Sequence, residues 1–299
     1  MEEDVELDKR GQPSNMLGIE LHWSKGQVIL IQTYLIESMA AQHLSGNHSG
    51  KHSLPSDPNA YLPSENDEGN PPPNYQSLIG RLLFLARMMR PEISVHVNLL
   101  GRRAKDANQT YWNTTLKVLW YLVSMKMEGL ALKKSRDLSL KIYTDAAYGG
   151  EGSRGQTGAL MCLGDQLVGW YSRRQDVVTL SVTEAEYIAD CKGVKDTSWA
   201  QQFLKELNLH LKPQLYTDSE GAYGLSKSPK FAWRSQHIEH WFHYLRQQVR
   251  SEKLEIITIP GKANLADALT KLLPMTTLNT WKQRWMDTTG EWPNKSWMT

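Results

Sequence analysis

The C-terminal half of this 299-residue chain predicts a mixed α/β sheet with helices on its faces. Three observations lead there. Residues 138–145, 158–163 and 166–172 are three consecutive segments of strand character, the last two joined by Gly164-Asp165. The pattern then changes to helix (182–209, with a possible break near Asp196), strand (214–218), helices (219–226 and 238–252), strand (254–259) and a last helix (264–271). Two strands also end in the same triplet, Tyr143-Thr144-Asp145 and Tyr216-Thr217-Asp218. Consecutive strands followed by alternating helices and strands describe one five-stranded sheet with helices packed on it.

The N-terminal half reads differently. Residues 1–15 are polar and expected to fray. Residues 16–22 and 27–32 alternate around Trp23-Ser24-Lys25-Gly26, a hairpin signature. Helical spacing follows over 34–44. Residues 45–74 hold Pro55, Pro58, Pro63 and Pro71-Pro72-Pro73 with Gly46 and Gly50, a composition expected to give an extended linker and no core. Helices are predicted from Tyr75 to Arg90, from Pro91 through Leu100, and over 111–124. Trp112 and Trp120 fall on apolar helical spacing, which favours core over base stacking.

Composition narrows the function classes. Apolar residues make up 40% and charged residues 22%, enough for a real core. Mean hydropathy is −0.50, and no run of about 18 apolar residues suits a membrane span. The acidic start, Met1-Glu2-Glu3-Asp4, is unlike a basic leader. Two cysteines, Cys162 and Cys191, exclude a disulfide framework and a cysteine-built zinc site, and an intracellular setting is expected. Charge is unevenly spread. Residues 1–75 carry 4 Lys/Arg against 11 Asp/Glu, and residues 76–140 carry 11 against 4. A block at +7 is either a solvated basic face or a surface for polyanions, of which nucleic acid is the commonest.

The acids carry the chemistry. Ligands of open α/β sheets gather beyond the carboxyl ends of strands, where Asp145 and Asp218 are expected. Glu184 and Glu186 lie near the start of the long helix, and Asp267 near the start of the last one. Singly, each has a plainer role as a turn or helix-start acid. Together they make a hard oxygen donor set suited to Mg²⁺ or Mn²⁺, and two such ions about 4 Å apart can cleave a phosphodiester. Gly149-Gly150 lacks the Lys-Ser/Thr of a phosphate-binding loop.

These segments resemble the ribonuclease H domain of copia-type LTR retrotransposons. The resemblance runs through Tyr143-Thr144-Asp145-Ala146, 154–158 (Arg-Gly-Gln-Thr-Gly), 169–175 (Gly-Trp-Tyr-Ser-Arg-Arg-Gln) and 180–189 (Leu-Ser-Val-Thr-Glu-Ala-Glu-Tyr-Ile-Ala). It continues through Trp199, 216–222, 236–239 and 265–271 (Leu-Ala-Asp-Ala-Leu-Thr-Lys). Upstream, 75–86 and Arg90-Pro91-Glu92-Ile93 resemble the region between polymerase and ribonuclease H, and 16–20 the end of a polymerase palm. The resemblance implies a ribonuclease H-like mixed five-stranded sheet flanked by helices, preceded by a mostly helical connection and a palm-remnant hairpin. It implies Asp145, Glu186, Asp218 and Asp267 as catalytic and metal-holding acids, Glu186 being preferred to Glu184 because Tyr187-Ile188-Ala189 follows it. It implies two Mg²⁺, with Mn²⁺ as a substitute, and hydrolysis of the RNA strand of an RNA–DNA hybrid. Other retrotransposon polyprotein products are further expected partners.

The expected domains are 1–44 (palm remnant), 45–74 (linker), 75–137 (connection), 138–274 (ribonuclease H) and 275–299 (C-terminal tail). No Tyr-x-Asp-Asp pair is present, so a truncated reverse transcriptase without polymerase activity is expected. The alternative is a catalytically inactive nucleic-acid-binding remnant, or an unstable fragment. Arg154, Arg173, Arg174, Lys192, Arg102 and Arg103 are candidate phosphate contacts, each with ordinary surface charge as its alternative. No His precedes Asp267 as in cellular ribonucleases H, which leaves Lys262 as a weak candidate cation. His237, His240 and His243 share a helix face but lack a further ligand at metal spacing. His43, His48 and His52 read as solvated loop residues. Of Trp281, Trp285, Trp292 and Trp297 some are expected to cap the core, and none carries a functional reading.

Overall fold

The computed structural model describes residues 11–45, 52–54, 57–61, 73–150, 152–227 and 239–288. Two five-stranded sheets organise it. The first is antiparallel, in the order β1-β2-β3-β4-β10, from β1 (Asn15–Met16), β2 (Ile19–Ser24), β3 (Gln27–Ile31), β4 (Gly129–Lys133) and β10 (Met286–Asp287). The second is mixed, in the order β7-β6-β5-β8-β9, from β5 (Leu140–Ala147), β6 (Gln156–Leu163), β7 (Gln166–Arg174), β8 (Gln214–Thr217) and β9 (Glu255–Thr258). β5, β6 and β7 form an antiparallel meander, while β8 and β9 run parallel to β5. Three meander strands followed by parallel strands entered through helices form the ribonuclease H-like sheet.

β5 lies at the centre because both its faces are covered. Leu140, Ile142 and Thr144 are fully buried on one face, against helix α5 (Val182–Glu206). That helix runs unbroken through Asp196. Close approach of α5 to β5 depends on Gly193, where a Cβ would stand 2.5 Å from Thr144 Cγ2. On the neighbouring strand Gly158 lies opposite Asp145. A Cβ there would stand 2.8 Å from both Leu269 Cβ and Thr270 Cγ2, so this glycine admits the segment that carries Asp267. That segment forms short 3-10 turns, Gly261–Ala263 and Leu265–Leu269, in place of the expected helix over 264–271. Asn264 caps the second turn, its Oδ1 accepting from Ala266 N at 3.0 Å.

The helices α1 (Thr33–His43), α2 (Tyr75–Met88), α3 (Ser94–Gly101) and α4 (Gln109–Ser124) follow the apolar spacing of their sequence. They share one buried cluster with Leu160 and Leu167 of the mixed sheet. Trp170 on β7 donates from Nε1 to Ala86 O on α2 at 2.6 Å, fixing the sheet to that helix.

Two expectations are corrected, and one is refined. The 45–74 stretch is not without core, because Leu54 and Tyr61 are buried in this cluster. The 75–137 region is mostly helical as expected, and its end, 129–133, adds strand β4, paired with β3 and β10. The 275–299 segment is not simply a tail. Helix α8 (Met275–Lys282) and β10 pack on the core, with Trp281 and Trp285 buried. Their indole N–H groups donate to Leu265 O at 2.8 Å and Asp165 O at 3.1 Å.

Candidate metal centre

Asp145 on β5, Asp218 just past β8 and Asp267 on the last 3-10 turn converge at one end of the mixed sheet. One carboxylate oxygen from each lies within 4.8 Å of the others, the one such acidic grouping found among the described residues. Asp145 is 1% exposed, while Asp218 and Asp267 are half-buried. Burial raises the Asp145 pKa, and the charges of Asp267 and Asp218 push the same way against Thr270 and Lys271.

Glu184 and Glu186 have separate tasks. Ser181 Oγ accepts from Glu184 N at 3.2 Å, and Glu184 Oε2 accepts from Leu180 N at 2.8 Å. This near-reciprocal arrangement caps α5 and occupies Glu184. Glu186 turns to the sheet, where its Oε2 accepts from Ala146 N at 3.1 Å. Burial, then the charges of Asp145, Asp190 and Asp218, raises its pKa from 4.5 to about 9. A folded-state pKa above the unfolded value means that folding favours the protonated form. The stability this gives is full below about pH 4.5 and is lost as pH rises through about 9. Glu186→Gln, which removes that titration, is therefore expected to stabilise the ion-free protein at pH 7 by up to about 3 kcal/mol. It should also flatten the fall of stability with pH over this window, read by urea denaturation in chelator. An equal slope in both proteins would contradict it.

The residues around the acids complete the geometry. Thr270 Oγ1 donates to Asp145 Oδ2. Lys271 Nζ lies 2.7 Å from Asp267 Oδ1 and 3.4 Å from Asp145 Oδ1. Asn264 Nδ2 donates to Thr144 O at 2.8 Å and to Asp218 Oδ1 at 2.9 Å. Thr270 and Lys271 lie in the 265–271 segment, where sequence alone singles out Asp267. Lys271, not the exposed Lys262, is the cation at the acids. Asp190, one helical turn beyond Glu186, carries no sequence signal beyond being an acid in a helix, and it is 1% exposed. Clustered carboxylates with a lysine drawn between two of them form a hard, anionic donor set, which fits a divalent cation.

The candidate basic residues divide into two groups. Arg102, at the end of α3, donates to Gln156 Oε1 on β6. Partial burial, then the charges of Arg174, Arg154 and Arg103, lowers its pKa to about 10, so these four guanidiniums share one patch. Arg103 is also paired with Asp106 at 3.1 Å. Gln156 pairs with Ala147, two residues beyond Asp145, which puts the patch on the order of 10 Å from that acid. Arg173 instead stacks over the Tyr171 ring at 4.6 Å, and Lys192 is held by Asp176 at 2.7 Å. His43 and His52 are not simply solvated: they pack on Trp112 and Trp120 at 5.7 and 5.3 Å between ring centroids. His243 is exposed on α7 (Glu239–Arg250). His48, His237, Trp292 and Trp297, with the side chain of His240, lie outside the described residues. No described helix is long and apolar enough to cross a membrane.

No protein-family model matches the chain. The Pol polyprotein of transposon TNT 1-94 from Nicotiana tabacum is 35% identical over 203 residues, 67% of this chain and 15% of that protein. The Pol polyprotein of transposon RE2 from Arabidopsis thaliana is 34% identical over 206 residues, 68% of this chain and 14% of that protein. Among solved structures, LC11 ribonuclease H1 in complex with an RNA/DNA hybrid aligns at 18% identity with a TM-score of 0.36, covering 44% of this chain and 93% of that one. The chain thus spans about one seventh of the length of the curated relatives it matches. On sequence it belongs to the Pol polyproteins of copia-type retrotransposons, and its mixed sheet has the ribonuclease H-like strand order.

Proposed function

We propose that the chain hydrolyses the RNA strand of RNA–DNA hybrids at a centre of two Mg²⁺ ions, replaceable by Mn²⁺. Asp145, Glu186, Asp218 and Asp267 are its catalytic, metal-holding acids. In this reading 138–274 is the ribonuclease H domain, 75–137 the connection and 1–44 a palm remnant without polymerase activity. The observation that carries the reading is the convergence of three carboxylates from three separate segments to within 4.8 Å. Such like charge is costly unless cations lie between the groups.

Bound divalent ions supply a nucleophilic water and neutralise charge on the leaving oxygen of a phosphodiester. The chain's own residues do the rest. Asp145 lies on β5 and Asp218 just past β8, neighbouring parallel strands that bring both acids to one end of the sheet. Glu186, which keeps its proton near neutral pH in the ion-free site, becomes an anionic ligand as the cluster is neutralised. Lys271, about half exposed beside Asp145 and Asp267, offers positive charge to a phosphate oxygen at the mouth of the site. The Arg102, Arg103, Arg154 and Arg174 patch binds the hybrid backbone, and 2′-hydroxyl and groove-shape contacts select hybrid over duplex DNA.

The test is one gel with a labelled hybrid carrying a recessed DNA primer, all four deoxynucleotides and Mg²⁺. Shortened RNA with an unextended primer is the expected result. Intact RNA at every Mg²⁺ and Mn²⁺ concentration, from folded protein, would leave only the binding remnant. A lengthened primer would refute the absence of polymerase activity.

The basic patch has its own expected outcome. The double variant Arg102→Glu, Arg103→Glu should weaken hybrid binding about tenfold or more at low salt. It should also reduce the slope of log affinity against log salt by roughly 1–2, since each phosphate contact contributes about 0.9 on a B-form duplex. Fluorescence anisotropy over a salt series measures both, and an unchanged slope would make the patch a solvated face.

A further inference from the structure

The two Tyr-Thr-Asp triplets lie side by side. β5 and β8 run parallel with Tyr143 opposite Tyr216, and this is the last pair in their ladder. Alternation along a strand sends Tyr and Asp to one face and Thr to the other. On the first face the Tyr143 and Tyr216 rings stack at 4.6 Å between centroids. On the second, Thr144 and Thr217 are both fully buried and both meet Asp190 of α5. Thr144 Oγ1 donates to Asp190 Oδ1 at 2.6 Å, and the Thr217 hydroxyl, which accepts from Ser219 N at 3.3 Å, lies near enough to the Asp190 carboxyl to act on it as a donor.

The point of convergence matters because the ladder between β5 and β8 ends one residue before it. Beyond Tyr143 and Tyr216 the two strand ends, each about to present an acid, are linked by side chains. Asn264 makes one link, from Thr144 O to Asp218, and Asp190 makes the other, between the two threonine hydroxyls. A carboxyl placed at 1% exposure costs free energy unless its oxygens are bonded, and here the bonds go to the residues immediately before Asp145 and Asp218.

We propose that Asp190 is a positioning residue: by bridging Thr144 and Thr217 it fixes the separation of Asp145 and Asp218, and through it the geometry in which they hold a divalent ion. This rests on the metal reading of the site. A side-chain amide at 190 keeps one acceptor oxygen and puts an N–H donor in place of the other, and a threonine hydroxyl can pair with either. An alanine leaves both without their partner and the strand ends free to splay.

The experiment titrates Mn²⁺ calorimetrically into the full chain and its variants, with circular dichroism on each. Asp190→Asn is expected to bind within about threefold of the unsubstituted protein, and Asp190→Ala about 10–100-fold more weakly, the usual cost of losing an outer partner at a metal site. Thr217→Val, which keeps the volume and removes one hydroxyl, should weaken binding severalfold without loss of fold. It also decides the question should Asp190→Ala not fold. Unchanged affinity in Thr217→Val or in folded Asp190→Ala would overturn the proposal. So would equal losses in Asp190→Asn and Asp190→Ala, since the carboxylate charge and not the bridge would then be at work. Failure of the unsubstituted chain to bind Mn²⁺ would instead overturn the metal reading, and the proposal with it, before any variant is compared.

Discussion

Asp145→Asn is expected to abolish measurable hybrid cleavage while leaving the protein folded. The loss should exceed about 100-fold, the upper end of what removing an outer partner costs at a metal site, because a donor atom itself is replaced. Asn keeps the shape and one acceptor oxygen, so the contact from Thr270 survives. Stability should move the other way. Burial raises the Asp145 pKa, with repulsion from Asp267 and Asp218 added, so the charged carboxylate opposes folding in the ion-free state. Its contribution to stability is present below its unfolded pKa and lost as pH rises through the folded one. The ion-free variant should therefore melt at or above the temperature of the unsubstituted protein at pH 7. A single-turnover cleavage assay beside a thermal melt in chelator reads both. Cleavage within tenfold of the unsubstituted rate would remove Asp145 from the catalytic set.

Lys282→Ala should destabilise the fold by about 3–5 kcal/mol, the cost of breaking a buried ion pair from one side. Lys282 is 1% exposed and donates to Glu128 Oε2 at 2.6 Å and Tyr121 Oη at 2.9 Å. Glu128 also faces Arg90 at 3.7 Å, and Arg90 holds Glu92 at 2.6 Å. Two cations and two anions thus balance in the interior, where α8 meets the helical region. Removing one cation leaves Glu128 short of a partner. Urea denaturation measures the loss, and combining the change with Glu128→Gln should recover part of it. A loss under about 1 kcal/mol would mean that α8 contributes little to the core.

The candidate acids were legible because the features that mark them are local. Alternating residues ending in Asp identify a strand and its end together, and the onset of helical spacing at 182 places Glu184 and Glu186 near a helix start. Choosing Glu186 over Glu184 is different in kind. The sequence offers two acids two positions apart, which resemblance alone separates there, and the capping bonds of Glu184 and the bond from Ala146 N to Glu186 give the two different partners. Asp190, Asn264 and Lys271 carry no such local mark, for a related reason. A polar residue bonded across 46 to 126 positions of chain has no short-range period to betray it.

Sequence alone determined the hairpin, the helices up to residue 252 and the five strands of the mixed sheet, since alternation and helical spacing are written within a few residues. It also determined that acids of matching placement would meet at strand ends. Tertiary structure decided what depends on distant partners. Gly129 to Lys133 is a strand because β3 and β10 pair with it. Leu54 and Tyr61 are core although prolines surround them in sequence. The segment after residue 274 is held by a lysine whose anion lies 154 positions earlier. Burial and charge pairing at that range depend on which surfaces the chain brings together, and no local pattern of side chains encodes that meeting.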